Sequence, residues 1–259
     1  MDLMIKGKVA VVTAASKGLG RAVAEALAKE GVNLAICSRN KDRINETAEQ
    51  IQSEYKVEVL PLVCDVTIPS EIISMKEEII SKYSTCHILF TNAGGPPSGK
   101  IENFTAEDFQ KAIDLNLMST INLVYTFLPY MQNQKWGRVI ASTSTNVRQL
   151  VPSLPLSNVS RLSVVTFIKS FAVEFAHLNI TANILAPGDF LTDTVKNSME
   201  KRAKREGIRI EEVLDKQKRT IPTNTIGDPK DYGALAAFLS SELASYITGE
   251  TVLIDGGKF

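Results

Sequence analysis

Short apolar runs recur along this chain, and their regular spacing limits its fold more than any other feature. They are Val9–Val12, Val32–Cys37, Val57–Val63, Ile88–Phe90, Arg138–Ala141, Thr181–Leu185 and Thr251–Ile254. Most are apolar throughout rather than alternating, as expected of strands covered on both faces. Longer amphipathic stretches separate them, the pattern of a parallel sheet wound with helices. The expected fold is therefore a single-domain α/β Rossmann fold over residues 1–259, with a doubly wound parallel sheet of about seven strands.

Two helices can be placed from local signals. Leu19, Ala22, Val23, Ala26 and Leu27 form one apolar stripe that ends near Gly31. Asp228 and Pro229 read as an N-cap and first-turn proline opening a helix over Lys230–Ser240. The stretch from Gly188 to Gly227 has no simple strand–helix reading. Its charged middle, Thr194–Lys218, predicts helix, and residues at about 189–226 are expected to cover a substrate as a lid rather than form a second domain.

Composition narrows the function classes. Lys and Arg total 29 and Asp and Glu total 29, so no overall field draws the chain to nucleic acid or to an anionic membrane. No apolar run is long enough to predict a membrane span, and the N-terminus does not read as a signal peptide. Cys37, Cys64 and Cys86 have no metal or redox spacing and are expected as core residues in a reducing cytoplasm. His87 and His177 stand apart without carboxylate neighbours, and no metal site is expected.

The first strand runs into Thr13-Ala14-Ala15-Ser16-Lys17-Gly18-Leu19-Gly20 and then into a helix. Glycines there permit a tight turn and close backbone approach, while the helix start offers unpaired N–H groups to a pyrophosphate. A plain strand-to-helix connection also fits these glycines. Further along come Asp65 and Val66 after the third strand, Thr91-Asn92-Ala93-Gly94, Asn116, Ser144, Pro187-Gly188, Tyr246-Ile247-Thr248-Gly249 and Asp255-Gly256-Gly257. In type, order and spacing this series resembles the short-chain dehydrogenase/reductase family over residues 6 to 257, and most of all its 3-oxoacyl-[acyl-carrier-protein] reductase-like branch. Ala14 stands where the first glycine of that family's turn usually sits.

The resemblance implies a dinucleotide held by Thr13, Ala15, Ser16, Lys17, Gly18, Leu19 and Gly20, by Asp65 and Val66, by Asn92, Ala93 and Gly94, and by Pro187 and Gly188. NAD-preferring sites place a carboxylate near the end of the second strand; here Ser38 and Arg39 stand there. Arg39 suits a 2′-phosphate by forked hydrogen bonding, and Lys17 resembles a second basic position of NADP-dependent members. NADP(H) is the expected cofactor, although both cations also fit as solvated surface charges.

The family's chemistry rests on a Ser, a Tyr and a Lys four residues beyond the Tyr, supported by an Asn. Ser144 and Asn116 match. The Tyr and Lys positions read Ser157 and Arg161 instead. The i, i+4 spacing still puts both on one helix face, but a serine hydroxyl does not titrate near neutral pH, and Arg161 is a poor proton source while still able to bind a ribose. Tyr55, Tyr83, Tyr125, Tyr130, Tyr232 and Tyr246 all read as packing or surface. Ser142, Ser144, Asn146, Arg148 and Ser157 are instead candidates to orient a water. Ser144 also fits as a strand-end serine and Asn116 as a helix adapter.

The expected activity is an NADP(H)-dependent oxidoreductase acting on the carbonyl/alcohol pair of a small molecule. A catalytically silent NADP(H)-binding sensor or scaffold is the alternative. The resemblance implies a homodimer or homotetramer. Substrate choice is expected in the lid, through apolar contact at Met199, and in the Gly94–Lys100 loop, which Gly95-Pro96-Pro97 stiffens.

Overall fold

The computed structural model describes residues 1–259, the side chain of Thr194 excepted. Strands β1 (Val9–Val12), β2 (Asn33–Ser38), β3 (Val59–Val63), β4 (Ile88–Thr91), β5 (Gly137–Ser142), β6 (Ile180–Pro187) and β7 (Thr251–Ile254) form one sheet. Its order is β3-β2-β1-β4-β5-β6-β7 and every pairing is parallel. The order reverses between β1 and β4, which opens a crevice at the carboxyl ends of the central strands.

The pleat sorts the strand residues between two layers. Ala10, Val12, Leu34, Ile36, Phe90 and Ile140 face the layer of α1 (Gly18–Lys29), α2 (Lys41–Tyr55) and α9 (Pro229–Leu239). Val11, Ala35, Cys37, Leu89, Val139 and Ala141 face α3 (Pro69–Tyr83), α5 (Ser119–Gln134) and α6 (Pro155–Phe175). Full burial on both faces accounts for the all-apolar runs. The short α4 (Ala106–Ile113) leads through a π-helical turn, Asp114–Met118, into α5.

Some boundaries differ from the sequence expectation for local reasons. Val32 stays outside β2 because its N–H donates to the Leu27 carbonyl and closes the end of α1. The expected third strand loses Val57 and Glu58; the Glu58 N–H donates to the Asn33 side chain instead. The Thr194–Lys218 stretch is helical but divided into α7 (Asp193–Glu206) and α8 (Ile210–Lys218). Gly207 makes the break: its φ of 66° ends α7 in the left-handed region that glycine enters without strain. Met199, expected to meet substrate, packs with Ala203 and Val213 between these two helices.

Candidate active site

The β1–α1 turn is built to bring backbone close to something outside it. Thr13 is fully buried; its hydroxyl donates to the Asn92 carbonyl at 2.7 Å and accepts the Asn92 N–H at 2.8 Å. This brace ties the end of β1 to the segment after β4. Ala14 adopts φ 50°, a left-handed conformation where glycine would be unstrained. A Cβ on Gly20 would collide with the Ala14 carbonyl oxygen and come 3.0 Å from its carbon, so the turn closes onto α1 only with glycine there. No side chain caps α1 and no acid occupies its first turn. Its leading N–H groups are free for an anion.

A cavity of about 280 Å³ extends from this turn, bordered by Lys17, Arg39, Arg43, Cys64, Asp65 and Gly94 among others. Asp65 accepts the N–H and hydroxyl of Thr67 at 3.0 and 2.8 Å and lies 3.8 Å from Arg39. Burial alone would push its pKa up, but these hydrogen bonds and the Arg39 charge outweigh that and hold the carboxyl below its ordinary range. The Ser38 hydroxyl is engaged with the backbone of Asn40, which leaves Arg39, its side chain 76% exposed, as the projecting group of this pair. Arg43 is a third cation that the sequence reading missed. Asn40 caps α2 by accepting the Arg43 N–H, and that cap-plus-three spacing after Arg39 was the available signal. A second cavity of about 640 Å³, bordered by Lys17, Arg21, Arg43, Asp193 and Lys196, separates the turn from α7.

Beyond Gly94 the crevice becomes a buried polar network. Ser157 and Arg161, on the first turns of α6, are 7% and 8% exposed. Arg161 donates through Nε to Ser157 Oγ at 3.2 Å, through Nη1 to the Thr143 and Ser142 carbonyls at 3.0 and 3.4 Å, and through Nη2 to the Gly94 carbonyl at 3.5 Å. Burial lowers its pKa to about 10, partly opposed by the phenol of Tyr232. Asn116, in the π-helical turn, also donates to the Gly94 carbonyl, at 3.3 Å, and accepts the Ser160 hydroxyl at 2.8 Å. Ser144 accepts the Asn146 N–H at 3.4 Å. The structure thus brings Ser144, Ser157, Arg161 and Asn116 to the ends of β4 and β5. Pro187 and Gly188 close the neighbouring end of β6, where the Gly188 N–H donates to the Ile254 carbonyl.

Asn146, already a candidate to orient a water, is joined by two partners that sequence reasoning left out of the site, Ser160 and Tyr232. Asn146 donates from Nδ2 to Ser157 Oγ and to Asn158 Oδ1, both at 3.0 Å. Ser160 fixes Asn116. Tyr232, fully buried in α9, donates to Ser142 Oγ at 2.9 Å from the opposite layer, and burial pushes its phenol above the ordinary range.

A family model described as Enoyl-(Acyl carrier protein) reductase matches residues 13–258. The chain belongs to the short-chain dehydrogenase/reductase family. Across all of both chains it is 31% identical to the 3-oxoacyl-[acyl-carrier-protein] reductase of Aquifex aeolicus. It is 35% identical to the D-beta-hydroxybutyrate dehydrogenase of Cupriavidus necator, over 98% of each. The crystal structure of L-sorbose reductase from Gluconobacter frateurii, complexed with NADPH and L-sorbose, superimposes with a TM-score of 0.97 at 30% identity, covering 100% of this chain and 99% of that one. This short-chain dehydrogenase/reductase therefore carries the oxidoreductase fold of its relatives around a network in which Ser157 and Arg161 are locked together.

Proposed function

We propose that this protein is an NADP(H)-dependent oxidoreductase acting on the carbonyl/alcohol pair of a small molecule. The observation that carries the reading is the double role of Gly94: it borders the cavity beside the uncapped helix start and its three cations, and its carbonyl accepts from Arg161 of the Ser144–Ser157–Arg161 network. The residues present fit the cofactor. Lys17, Arg39 and Arg43 suit a 2′-phosphate, the α1 N-terminus suits a pyrophosphate, and no carboxylate follows β2 to favour the unphosphorylated ribose. Arg161 and Asn116 both donate to the Gly94 carbonyl and hold that segment in place where the nicotinamide-side ribose would lie. When bound, NADP(H) supplies or takes the hydride. Ser144 and Ser157 orient the carbonyl oxygen, and α7 with α8 (residues 189–226) serve as a lid that excludes water.

No helix among the described residues is long and apolar enough to cross a membrane, and three free, buried cysteines fit a cytoplasmic setting. Exposed Tyr125 on α5 with Val159, Leu162 and Val173 on α6 offer an apolar face for a second copy, giving a homodimer or homotetramer. The test is NADPH titration by fluorescence, followed by turnover against ethyl acetoacetate, L-sorbose and cyclohexane-1,2-dione. The reading predicts NADPH bound more tightly than NADH, and turnover of at least one ketone. Tight binding without turnover of any of them contradicts it and leaves a silent cofactor-binding protein.

A further inference from the structure

We propose that Ser157 and Arg161 form a donor-only pocket that stabilises negative charge on the substrate's carbonyl oxygen, with water rather than a side chain supplying the proton. The protein is then a reductase in practice, working poorly towards alcohol oxidation near neutral pH. The inference rests on the oxidoreductase reading above and deepens it.

The donors and acceptors around Ser157 and Arg161 can be counted. Asn158 donates from Nδ2 to the Val151 carbonyl at 2.9 Å and accepts the Val151 N–H at 3.4 Å. That double contact fixes which end of its amide is oxygen. Asn158 Oδ1 is therefore an acceptor, so the Asn146 atom facing it must be the nitrogen. Asn146 Nδ2 has one N–H left, and it goes to Ser157 Oγ. Arg161 Nε, which can only donate, takes the second lone pair of the same oxygen. With both lone pairs filled, the Ser157 hydroxyl can only donate, and among the described residues it has no acceptor. Arg161 has five N–H groups; four reach Ser157, Ser142, Thr143 and Gly94, which leaves one on Nη2. No carboxylate among the described residues pairs with this buried cation. Ser144 Oγ likewise receives the Asn146 N–H and keeps its own proton to give.

Fixed donors and an unpaired cation in a buried site stabilise an oxyanion without reorganisation. As the carbonyl carbon gains hydride from the nicotinamide reductant, the C=O π pair moves onto oxygen. The Ser157 O–H and the Arg161 N–H meet the resulting alkoxide, which then takes a proton from water and leaves hydroxide to the solvent. Among the described residues Asn146 Oδ1 is buried and without a donor, an acceptor that a water's O–H could complete. Asn146 is a positioning residue: it forces the direction of the Ser157 proton.

The titratable neighbours do not replace a base. Among the described residues Tyr232 of α9 is the one ionisable group in electrostatic contact with Arg161, and burial holds its phenol neutral. Lys100 and Arg148 on the flanking loops are exposed. Alcohol oxidation therefore needs hydroxide to remove the proton.

The decisive experiment uses the full chain and the panel ketone turned over fastest, with its alcohol, from pH 6 to 9.5. NADPH and NADP⁺ affinities are measured alongside by fluorescence. Expected is a reduction kcat that stays flat, and an oxidation rate that rises about tenfold per pH unit without a plateau. Asn146→Asp, which turns the Ser157 proton inward, lowers reduction kcat at least tenfold with the KM and Kd for NADPH unchanged. A sigmoid or bell with a midpoint between pH 6 and 9.5, a plateau in oxidation, or an unchanged kcat in Asn146→Asp overturns the proposal while leaving the oxidoreductase reading intact. Cofactor binding with no turnover in either direction overturns both.

Discussion

The two ends of the crevice solve different physical problems. At the phosphate end, cations stand in or near water: Arg39 is largely exposed, and Lys17 and Arg43 border open cavities. Their contribution is long-range, nearly independent of one another, and weakened by salt. At the substrate end, Arg161, Ser157, Asn146 and Asn116 are buried and share partners, so each fixes the direction of its neighbour's proton. A phosphate end of this kind tolerates drift in any one residue. The network does not: Asn158 orients Asn146, Asn146 donates to Ser157, and Arg161 donates to the same oxygen.

That contrast can be broken most sharply at Ser157. Ser157→Ala removes a donor whose direction the network dictates, and we expect kcat for reduction to fall about 100-fold while the NADPH dissociation constant stays within about twofold; steady-state kinetics with fluorescence titration measures both. Equal losses in kcat and affinity would mean the two ends are not separable. At Gly20 the reverse pattern is expected. The collision of a side chain with the Ala14 carbonyl makes Gly20→Val bind NADPH about 10–100-fold more weakly, with thermal denaturation showing whether the fold survives.

Smaller effects sharpen the independence of the cations. Lys17→Ala and Arg43→Ala should each weaken NADPH about tenfold, leave NADH unchanged, and lose their effect as salt rises. Their combination should be close to additive. The smallest change is Tyr232→Phe. Loss of its hydrogen bond to Ser142 should cost about 1 kcal/mol of stability, read as a lower Tm, with kcat within about threefold.

How much of this could be read in the sequence follows the same division. The sheet and the phosphate turn are written locally: all-apolar runs give the strands, and Thr13 to Gly20 gives the turn within eight consecutive positions. Arg43 was missed although it lies only one helical turn beyond the Asn40 cap. The network was legible as far as its candidate members Asn116, Ser142, Ser144, Asn146, Ser157 and Arg161. Its remaining partners were not, because they join residues far apart in the chain: Ser160 with Asn116 across 44 positions, and Tyr232 with Ser142 across 90. The sequence reads Tyr232 as packing or surface, and it is packed; nothing local says that its hydroxyl lands on β5. Met199 misled for a related reason, since its apolar partners lie within the α7–α8 pair rather than across the crevice.

The central claim is that Ser157 and Arg161 belong to a rebuilt site and are not a damaged copy of the usual pair. Turnover of the double variant Ser157→Tyr with Arg161→Lys tests it most directly. A phenol must enter a place already enclosed by Asn146 and the guanidinium, and a lysine cannot span Ser157, Thr143 and Gly94 at once. We predict unchanged or lower reduction kcat than in the native protein. A rise of about tenfold or more, the lower range of what a positioned acid contributes, would contradict the account.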